Sequence, residues 1–304
     1  MITAPVLLWG SARDLPVAAV CTALHALGAP MLLFDPARAH VATVEVDDDG
    51  GGRLGVDGLE CDLGAVRAVY ARPDALARDA AVQRAGPGGA GAAHADAVDE
   101  ALLGWLELTP ARVLNRPSAM ASNGSKPYQA ALIRAAGLDV PDTLVTTDRR
   151  ALDAFVARHG RVVYKSCSGV RSIVSRLDPD DVARLARLST CPTQFQQYVP
   201  GPDYRVHVVG DTAYGHEIAA EADDYRYASP DDVQQRPWQV PGELAARLVR
   251  LSHALGLQLS GIDLRRAEDG TWLCFEVNPS PGFTYFDDDD QPVARAIARC
   301  LAQA

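Results

Sequence analysis

The sequence predicts a protein that joins an α/β unit to α+β units. The first 35 residues alternate strand, helix and strand, and such a βαβ unit builds a parallel sheet. The second half instead carries short strands separated by Pro, Gly and Asp turns, which is typical of antiparallel sheets. A chain of 304 residues also exceeds the size at which a single core usually stops growing, about 250–300 residues. We therefore predict three units, spanning residues 1–115, 116–195 and 196–304.

The first unit is expected to hold a parallel sheet and a hairpin. Apolar runs predict its strands at residues 5–10, 30–35, 66–73 and 112–117. Helical spacing of apolar residues predicts helices at 15–29 and 95–109, and a glycine turn predicts a hairpin at 43–58. The Gly- and Ala-rich stretch at 84–95 is expected to be a mobile surface loop, with a lid over a substrate as the alternative.

The second and third units are expected to mix helices with antiparallel strands. In the second unit, a helix ends at Gly137, another covers 151–160, two strands lie within 161–177, and a helix follows Pro179. In the third unit, strands lie within 193–222, and helices cover 242–257 and 292–303. Between these helices, two strands flank the turn "AEDG" at 267–270.

The composition excludes several classes of function. A net charge of -10 and a pI near 5.1 oppose binding to nucleic acid or to an anionic membrane, because both need clustered Lys and Arg. The six cysteines form no CxxC pair, so neither a zinc knuckle nor a redox motif is predicted. No signal peptide and no apolar run of about 18 residues is found. We expect a cytoplasmic protein without a membrane segment.

The run "LCFEVNPSPG" at 273–282 places two polar side chains inside an apolar strand. Glu276 and Asn278 share one strand face because strand side chains alternate, while Phe275 and Val277 are expected to hold the strand in the core. If the strands on either side of "AEDG" pair, Asp263 of "SGIDLRR" comes near Glu276. Two carboxylates and an amide oxygen suit magnesium. The alternative is a half-exposed hairpin with outward polar residues.

Lys165 in "VVYKSCSGV" follows an apolar strand and precedes a Ser/Gly loop. The backbone N–H groups of such a loop can bind phosphate oxygens, with the lysine as a point charge. The alternative is a solvated lysine at a strand end. The GxxxxGK[ST] motif is absent, so this is not a Walker A loop.

The segment "FQQYVPGPDYRV" adds a third group of candidates. The backbone of Gln197, Tyr198 and Val199 could hydrogen-bond an adenine edge before the Pro-Gly-Pro turn. Asp203 could bind ribose hydroxyls, and Arg205 could neutralise charge on a transferring phosphoryl group.

Taken in order along the chain, these motifs resemble the ATP-grasp superfamily, nearest to its RimK-like glutamate ligase and glutathione synthetase branch. The motifs are Ser125-Lys126 before a helix, Lys165 before its loop, "QQYVPGPDYRV", "GIDL" and "FEVNPSPG". The resemblance implies a three-subdomain ATP-grasp fold behind an N-terminal βαβ pre-ATP-grasp domain. The sequence departs from the family in the single glycine of "SCSGVRS" and in "YA" after Arg226, where glutamate ligases commonly have "SN".

The resemblance also assigns roles to individual residues. It implies ATP binding by a set of residues around the phosphates, adenine and ribose: Lys126, Lys165, Ser166, Ser168, Gly169, Gln197, Tyr198, Val199 and Asp203. It implies that Asp263, Glu276 and Asn278 bind two magnesium ions, with manganese as an alternative metal. It further implies that Arg205 and Arg226 steady the γ-phosphate and an acyl-phosphate intermediate.

The predicted function is therefore an ATP-dependent carboxylate–amine ligase that forms an amide through an acyl phosphate. Amino acids or a peptide would supply the carboxylate and the amine, and a homo-oligomer is compatible with this function. One alternative is a graspetide-type peptide macrocyclase that forms ester or amide crosslinks. The other is an ATP-binding module or small-molecule kinase without ligase activity.

Further parts of the chain have a lesser expected role in this function, or none. No protein nucleophile is required, so the Ser and Cys residues after Lys165 are interpreted as loop and packing residues. The substrate pocket is expected to use residues 70–73 and 115–123 of the first unit. The run Asp287–Asp290 is interpreted as a solvated helix N-terminus, with attraction of a cationic substrate as the alternative. His207, His216 and His253 receive no role.

Overall fold

A computed structural model describes residues 5–74, 78–82, 89–167, 174–178, 188–220 and 233–304. Its contacts divide the chain into two compact units. The first unit contains Met1–Ala119, Gly256–Leu259 and Ser280–Ala304, and the second contains Met120–Leu255 and Ser260–Pro279. The finer division at residues 115 and 195 stays a prediction.

The described elements follow in chain order. The strands are β1 (Val6–Gly10), β2 (Met31–Phe34), β3 (Thr43–Val46), β4 (Gly52–Val56), β5 (Leu59–Asp62), β6 (Ala68–Arg72), β7 (Arg112–Leu114), β8 (Thr143–Thr146), β9 (Val162–Ser166), β10 (Ser175–Arg176), β11 (Thr193–Gln197), β12 (Asp203–Val209), β13 (Thr212–Ala220), β14 (Val233–Trp238), β15 (Leu259–Arg266) and β16 (Trp272–Asn278). The helices are α1 (Leu15–Ala26), α2 (Ala90–Leu108), α3 (Pro117–Met120), α4 (Lys126–Ala135), α5 (Arg149–His159), α6 (Gly242–Ala254) and α7 (Pro292–Ala302). No helix in these described ranges is both long enough and apolar enough to cross a membrane.

The first unit is built on a parallel sheet in the order β2-β1-β6-β7. β1 is buried along its whole length, as expected for an inner strand of a parallel sheet. α1 and α7 pack against each other, and α7 also contacts β6. The βαβ prediction for the first 35 residues is confirmed.

α2 corrects the prediction of a surface loop at 84–95. This helix begins at Ala90, so residues 90–95 are helical, while residues 83–88 lie outside the described residues. The segment is rich in alanine, the best helix former, and Ala95, Val98 and Leu102 bury one face of the helix in the core. Composition alone suggested a loop because the buried stripe starts only at Ala95.

A separate antiparallel sheet, β3-β4-β5, completes the first unit. The predicted hairpin at 43–58 corresponds to β3 and β4. β5 was not predicted, because this edge strand is mostly polar and exposed and Cys61 is its one buried residue.

The second unit contains two antiparallel sheets. The smaller has the order β10-β9-β11-β8, and α5 packs on it through Leu152 and Phe155. Residues 168–173 and most of the helix predicted after Pro179 lie outside the described residues. The larger sheet has the order β14-β13-β12-β15-β16.

Strand alternation gives the larger sheet two distinct faces. One, here called the apolar face, carries buried side chains such as Val206, Ile262 and Val277, and α6 contacts its strands β12 and β13. The other, here called the charged face, is formed by Asp203, Arg205, His207, Asp263, Arg265, Glu276 and Asn278. The strand phase therefore collects five of the predicted site residues on one face: Asp203, Arg205, Asp263, Glu276 and Asn278.

Candidate active site

Two carboxylates stand opposite each other on the charged face. β15 and β16 pair as the predicted hairpin, and their register matches Asp263 with Glu276 and Gly261 with Asn278. Directly opposed residues of antiparallel strands have Cβ atoms about 5 Å apart. The Asp263 and Glu276 side chains are 22% and 23% exposed, so both remain accessible from solvent.

A β-bulge lies next to this pair and corrects one prediction. Glu276 pairs with Asp263, but Leu264 pairs with Cys274, so Phe275 is the extra residue. Val277 and Cys274 are fully buried, whereas Phe275 is only half-buried. The centre of the Phe275 ring lies 5.6 Å from the Arg265 guanidinium carbon. Phe275 therefore does not belong to the core with Val277, because the bulge shifts the alternation. Strict alternation could not reveal that shift.

α4 brings a lysine to the carboxylate pair. Lys126 is the first residue of this helix, and its Nζ lies 3.7 Å from Glu276 Oε1. One turn later, the buried Gln129 side chain bonds both backbone groups of Val277: its Nε2 donates to the carbonyl at 2.8 Å, and its Oε1 accepts from the N–H at 3.0 Å. Gln129 thus fixes α4 against β16 beside Glu276. The sequence prediction missed Gln129, although a glutamine on the inner face of an amphipathic helix was a signal.

Arg205 joins the pair from the neighbouring strand β12. Its Nη1 donates to Asp263 Oδ1 at 2.6 Å, and its side chain is only 7% exposed. Its Nε donates to Nε2 of the fully buried His207 at 3.4 Å. Burial lowers the pKa of His207 well below its usual value, and the charges of Arg205 and His216 lower it further. The structure therefore places a neutral imidazole, which the sequence prediction left without a role, beside Arg205.

A second ion pair lies on the same two strands. Arg265 binds the Asp203 carboxylate through Nε at 2.7 Å and Nη2 at 3.0 Å, and its Nη1 donates to the Val199 carbonyl at 2.8 Å. Asp203 and the end of the predicted adenine segment are thus held by one buried arginine. Arg265 was not predicted as a site residue. The available signal was its position two residues after Asp263 in "GIDLRR", which places both side chains on the same strand face.

The predicted adenine segment is anchored through its backbone. The N–H of Gln197 donates to the Asp142 carbonyl at 2.9 Å, and that of Tyr198 donates to the Arg161 carbonyl at 3.1 Å. The Tyr198 ring lies 4.6 Å from the Arg161 guanidinium carbon and 5.0 Å from that of Arg176. Because the N–H groups of Gln197 and Tyr198 already have backbone partners, an adenine edge would have to bind other backbone groups of this segment.

Lys165 is buried within β9 and is not a solvated residue at a strand end. It stands opposite Gln194 of β11, and its Nζ donates to Gln196 Oε1 at 3.4 Å. A side-chain amide of the neighbouring strand is thus one of the groups that bind the Lys165 ammonium. Ser166 ends β9, while Ser168, Gly169 and Arg226 lie outside the described residues.

The residues expected to face the substrate in the first unit have structural partners. At the end of β6, Arg72 donates to Asp14 at 2.7 Å, to Ser280 Oγ at 2.8 Å and to the Pro281 carbonyl at 3.1 Å. Asn115 is a structural residue, because its side chain accepts from the Gln258 and Leu259 N–H groups and donates to the Leu259 carbonyl at 2.6 Å. This corrects its expected place in a substrate pocket.

The acidic run near the C-terminus serves a helix. Asp287 accepts hydrogen bonds from the N–H groups of Val293 and Ala294 in the first turn of α7, at 2.9 and 3.0 Å. This confirms, for Asp287, the interpretation as a helix N-terminus, where a carboxylate satisfies N–H groups that lack an intrahelical partner.

The charged face offers oxygen donors of the kind that a hard divalent metal ion requires. Asp263, Glu276 and Asn278 supply only oxygen ligands on two paired strands, which suits magnesium or manganese and not zinc. Within the described residues, no group of three or more His, Cys, Asp and Glu side chains could hold a metal ion. The set therefore fits an ion that takes part of its coordination from water or a bound phosphate.

No protein-family model matches the chain. Among characterised proteins, β-citrylglutamate synthase B of Danio rerio is 29% identical to the chain over 205 residues. The alignment covers 62% of this chain and 50% of the relative. The chain thus spans about half the length of this relative.

Solved structures resemble the whole chain. A structure of the ATP-grasp ligase PsnB with a phosphomimetic variant of a minimal precursor, Mg and ADP is 27% identical, with a TM-score of 0.80 and coverage of 100% of this chain and 99% of PsnB. A RiPP-associated ATP-grasp ligase from Chryseobacterium gregarium, in complex with ADP and a leader and core peptide, is 21% identical. Its TM-score is 0.85, with coverage of 98% of this chain and 97% of that chain, and this likeness shows the fold alone.

Proposed function

Because the chain belongs to the ATP-grasp superfamily, we propose that it is an ATP-dependent carboxylate–amine ligase. In this reaction a substrate carboxylate attacks the γ-phosphorus of ATP, forming an acyl phosphate and releasing ADP. An amine then attacks the acyl carbon, so that an amide forms and inorganic phosphate leaves. No protein nucleophile takes part.

One observation carries the proposal: Asp263 and Glu276 are register partners, and each has a cationic side chain beside it. Asp263, Glu276 and Asn278 would hold two magnesium or manganese ions. When bound, such ions neutralise charge on the phosphoryl oxygens. Arg205 and Lys126 would contact the same phosphoryl group, because both already lie beside these carboxylates.

The rest of the ATP molecule would be held by residues of the second unit. Lys165 would bind phosphate oxygens, with Ser166, Ser168 and Gly169 as proposed neighbours on its loop. Gln197, Tyr198 and Val199 would line the adenine, and Asp203 would meet the ribose while Arg265 holds its carboxylate. Arg226 would steady the acyl phosphate together with Arg205.

A matched pair of variants tests the proposal. Purified protein is screened for ADP release with Mg²⁺, ATP and combinations of amino acids and short peptides. We expect release to require a carboxylate and an amine together, and an amide product to form in equal amount. Glu276→Ala should abolish release, whereas Glu268→Ala, an exposed glutamate on the turn of the same hairpin, should leave it unchanged. ADP release that needs no amine and gives no coupled product would reject the ligase in favour of a kinase.

A second candidate, a peptide macrocyclase, is favoured by the full-length similarity to PsnB in complex with a precursor. In that case carboxylate and amine or hydroxyl belong to one peptide, and each crosslink removes one water. A peptide substrate that loses the mass of water without any added amine identifies this function. An intermolecular amide as the sole product identifies the first candidate.

A further inference from the structure

His207 lies directly beside Arg205 on the charged face. The two residues are separated by one position on β12, so their side chains point to the same face. His207 is fully buried, and its Nε2 accepts a hydrogen bond from Arg205 Nε at 3.4 Å. This bond fixes the tautomer, because the ring nitrogen that accepts cannot carry a proton.

The environment of His207 keeps its ring neutral. His216 stands opposite Arg205 on β13 and is also buried, so Arg205 has an imidazole neighbour on its own strand and another on the next. A second positive charge here would be buried against the Arg205 guanidinium. His207 therefore acts as an acceptor and not as an acid.

The Arg205 guanidinium is consequently held at two points. Its Nη1 end is bound by the Asp263 carboxylate, and its Nε is bound by His207. Two bonds to a planar group determine both its position and the orientation of its plane. Because this acceptor is neutral, the bond orients the guanidinium without adding a negative charge beside it.

We propose that His207 is a positioning residue that orients the Arg205 guanidinium toward the transferring phosphoryl group. This inference rests on the proposed function, because it assigns Arg205 the role of stabilising charge that develops in the transition state. An interaction that strengthens in the transition state acts mainly on kcat, so losing the orientation should lower kcat more than it raises the KM for ATP.

Two substitutions separate the acceptor from the volume of the ring. His207→Phe keeps an aromatic ring but removes the acceptor, and His207→Gln carries an oxygen that can accept at a similar reach. We expect kcat to fall about tenfold in His207→Phe, as for the loss of one hydrogen bond to a charged group, with the KM for ATP within about twofold. His207→Gln should stay within about threefold of the unchanged protein. The control is His253→Gln, since His253 is an exposed histidine of α6.

A second readout does not require activity. In protein labelled with ¹⁵N-arginine, the Arg205 Nε–H signal is assigned by its loss in Arg205→Lys. Hydrogen exchange of this signal with water should accelerate in His207→Phe and remain slow in His207→Gln. If His207→Phe folds poorly, the exchange experiment is carried out on His207→Gln alone. The inference then requires that the Arg205 Nε–H signal still exchanges slowly in this variant.

The outcomes distinguish the inference from the function on which it rests. If Arg205→Lys leaves ADP release intact, the proposed role of Arg205 fails, whereas the exchange experiment still tests the hydrogen bond. If Arg205→Lys is inactive while His207→Phe keeps both kcat and slow exchange, the inference on His207 is overturned. It is equally overturned if His207→Gln is as impaired as His207→Phe, because the acceptor would then not be the cause.

Discussion

The two faces of the larger sheet use the same strands for opposite purposes. On the apolar face, Val206, Ile262 and Val277 are fully buried, and three aromatic rings, Tyr204, Trp238 and Trp272, contact one another with centroids 4.6 to 5.2 Å apart. On the charged face, the alternate residues of the same strands form ion pairs and hydrogen bonds. The apolar face therefore supplies stability, and its rigidity holds the charged face in place for chemistry.

The aromatic group shows how closely the apolar face is packed. Trp238 lies over the backbone of Gly215, its register partner on β13, where an added Cβ would come within 2.8 Å of the tryptophan ring. A side chain at this position would displace the ring. We therefore expect substitutions on the apolar face to change stability and substitutions on the charged face to change the reaction rate.

The largest effect is expected for Asp263→Asn on the charged face. This change removes a proposed metal ligand and the charged partner of Arg205 while keeping the shape of the side chain. We expect kcat/KM for ATP to fall about 10³-fold, in the range seen when a preorganised electrostatic contact is lost. ADP-release kinetics measure it, with the highly exposed Asp211→Asn as control. Activity within tenfold of the unchanged protein would contradict the division between the faces.

A change on the apolar face should have the opposite signature. Trp238→Ala removes a half-buried ring from the aromatic group, and we expect the free energy of unfolding to fall by about 3 kcal/mol. The kcat of the folded fraction should be unchanged. Urea unfolding measures the first quantity, and Tyr128→Ala, an exposed aromatic residue of α4, is the control. A selective loss of kcat would show that this face also serves catalysis.

Gln129→Leu tests the link between packing and the site. The substitution leaves the N–H and carbonyl of Val277 without their side-chain partner, and we expect a loss of about 2 kcal/mol in the free energy of unfolding. Because Gln129 fixes α4, and with it Lys126, the KM for ATP should rise as well. Arg134→Gln, at an exposed position of the same helix, should change neither quantity. Lost stability with an unchanged KM would mean that Gln129 does not position Lys126.

The smallest predicted effect concerns pH. Since burial, Arg205 and His216 lower the pKa of His207 in the folded protein, the unfolded chain takes up the proton first as the pH falls below about 6.5. His207 should therefore contribute a loss of stability of up to about 1.4 kcal/mol per pH unit between its unfolded and folded pKa values. Urea unfolding from pH 7.5 to 5 should show a shallower loss in His207→Gln than in His253→Gln. Equal slopes would contradict a buried neutral His207.

Local patterns were sufficient for most of the elements. Apolar runs predicted β1, β2 and β6, and the clearest case is β1, which is buried at every position and has no polar side chain. The hairpin of β15 and β16 was also predictable, since both strands and their turn have clear signals. β5 and the start of α2 were missed because their stability comes from partners elsewhere in the chain.

The candidate site was predictable only in part. Asp263, Glu276 and Asn278 stand out in the sequence because polar residues at alternate positions of an apolar strand need a reason. Arg265, Gln129 and His207 did not stand out, since an arginine, a glutamine or a histidine in a strand or helix is common. Their importance depends on which residues lie across the sheet, and that depends on strand order.

The sequence by itself therefore determined most of the secondary structure, the resemblance to ATP-grasp proteins and the candidate oxygen ligands Asp263, Glu276 and Asn278. These follow from alternation, apolar content and short motifs, all of which are local. Only the tertiary structure decided that Arg205 meets Asp263, that Arg265 meets Asp203, and that Phe275 leaves the core at a bulge. Pairings between residues about 60 positions apart are set by the order and register of strands in the folded sheet, and no local pattern encodes them.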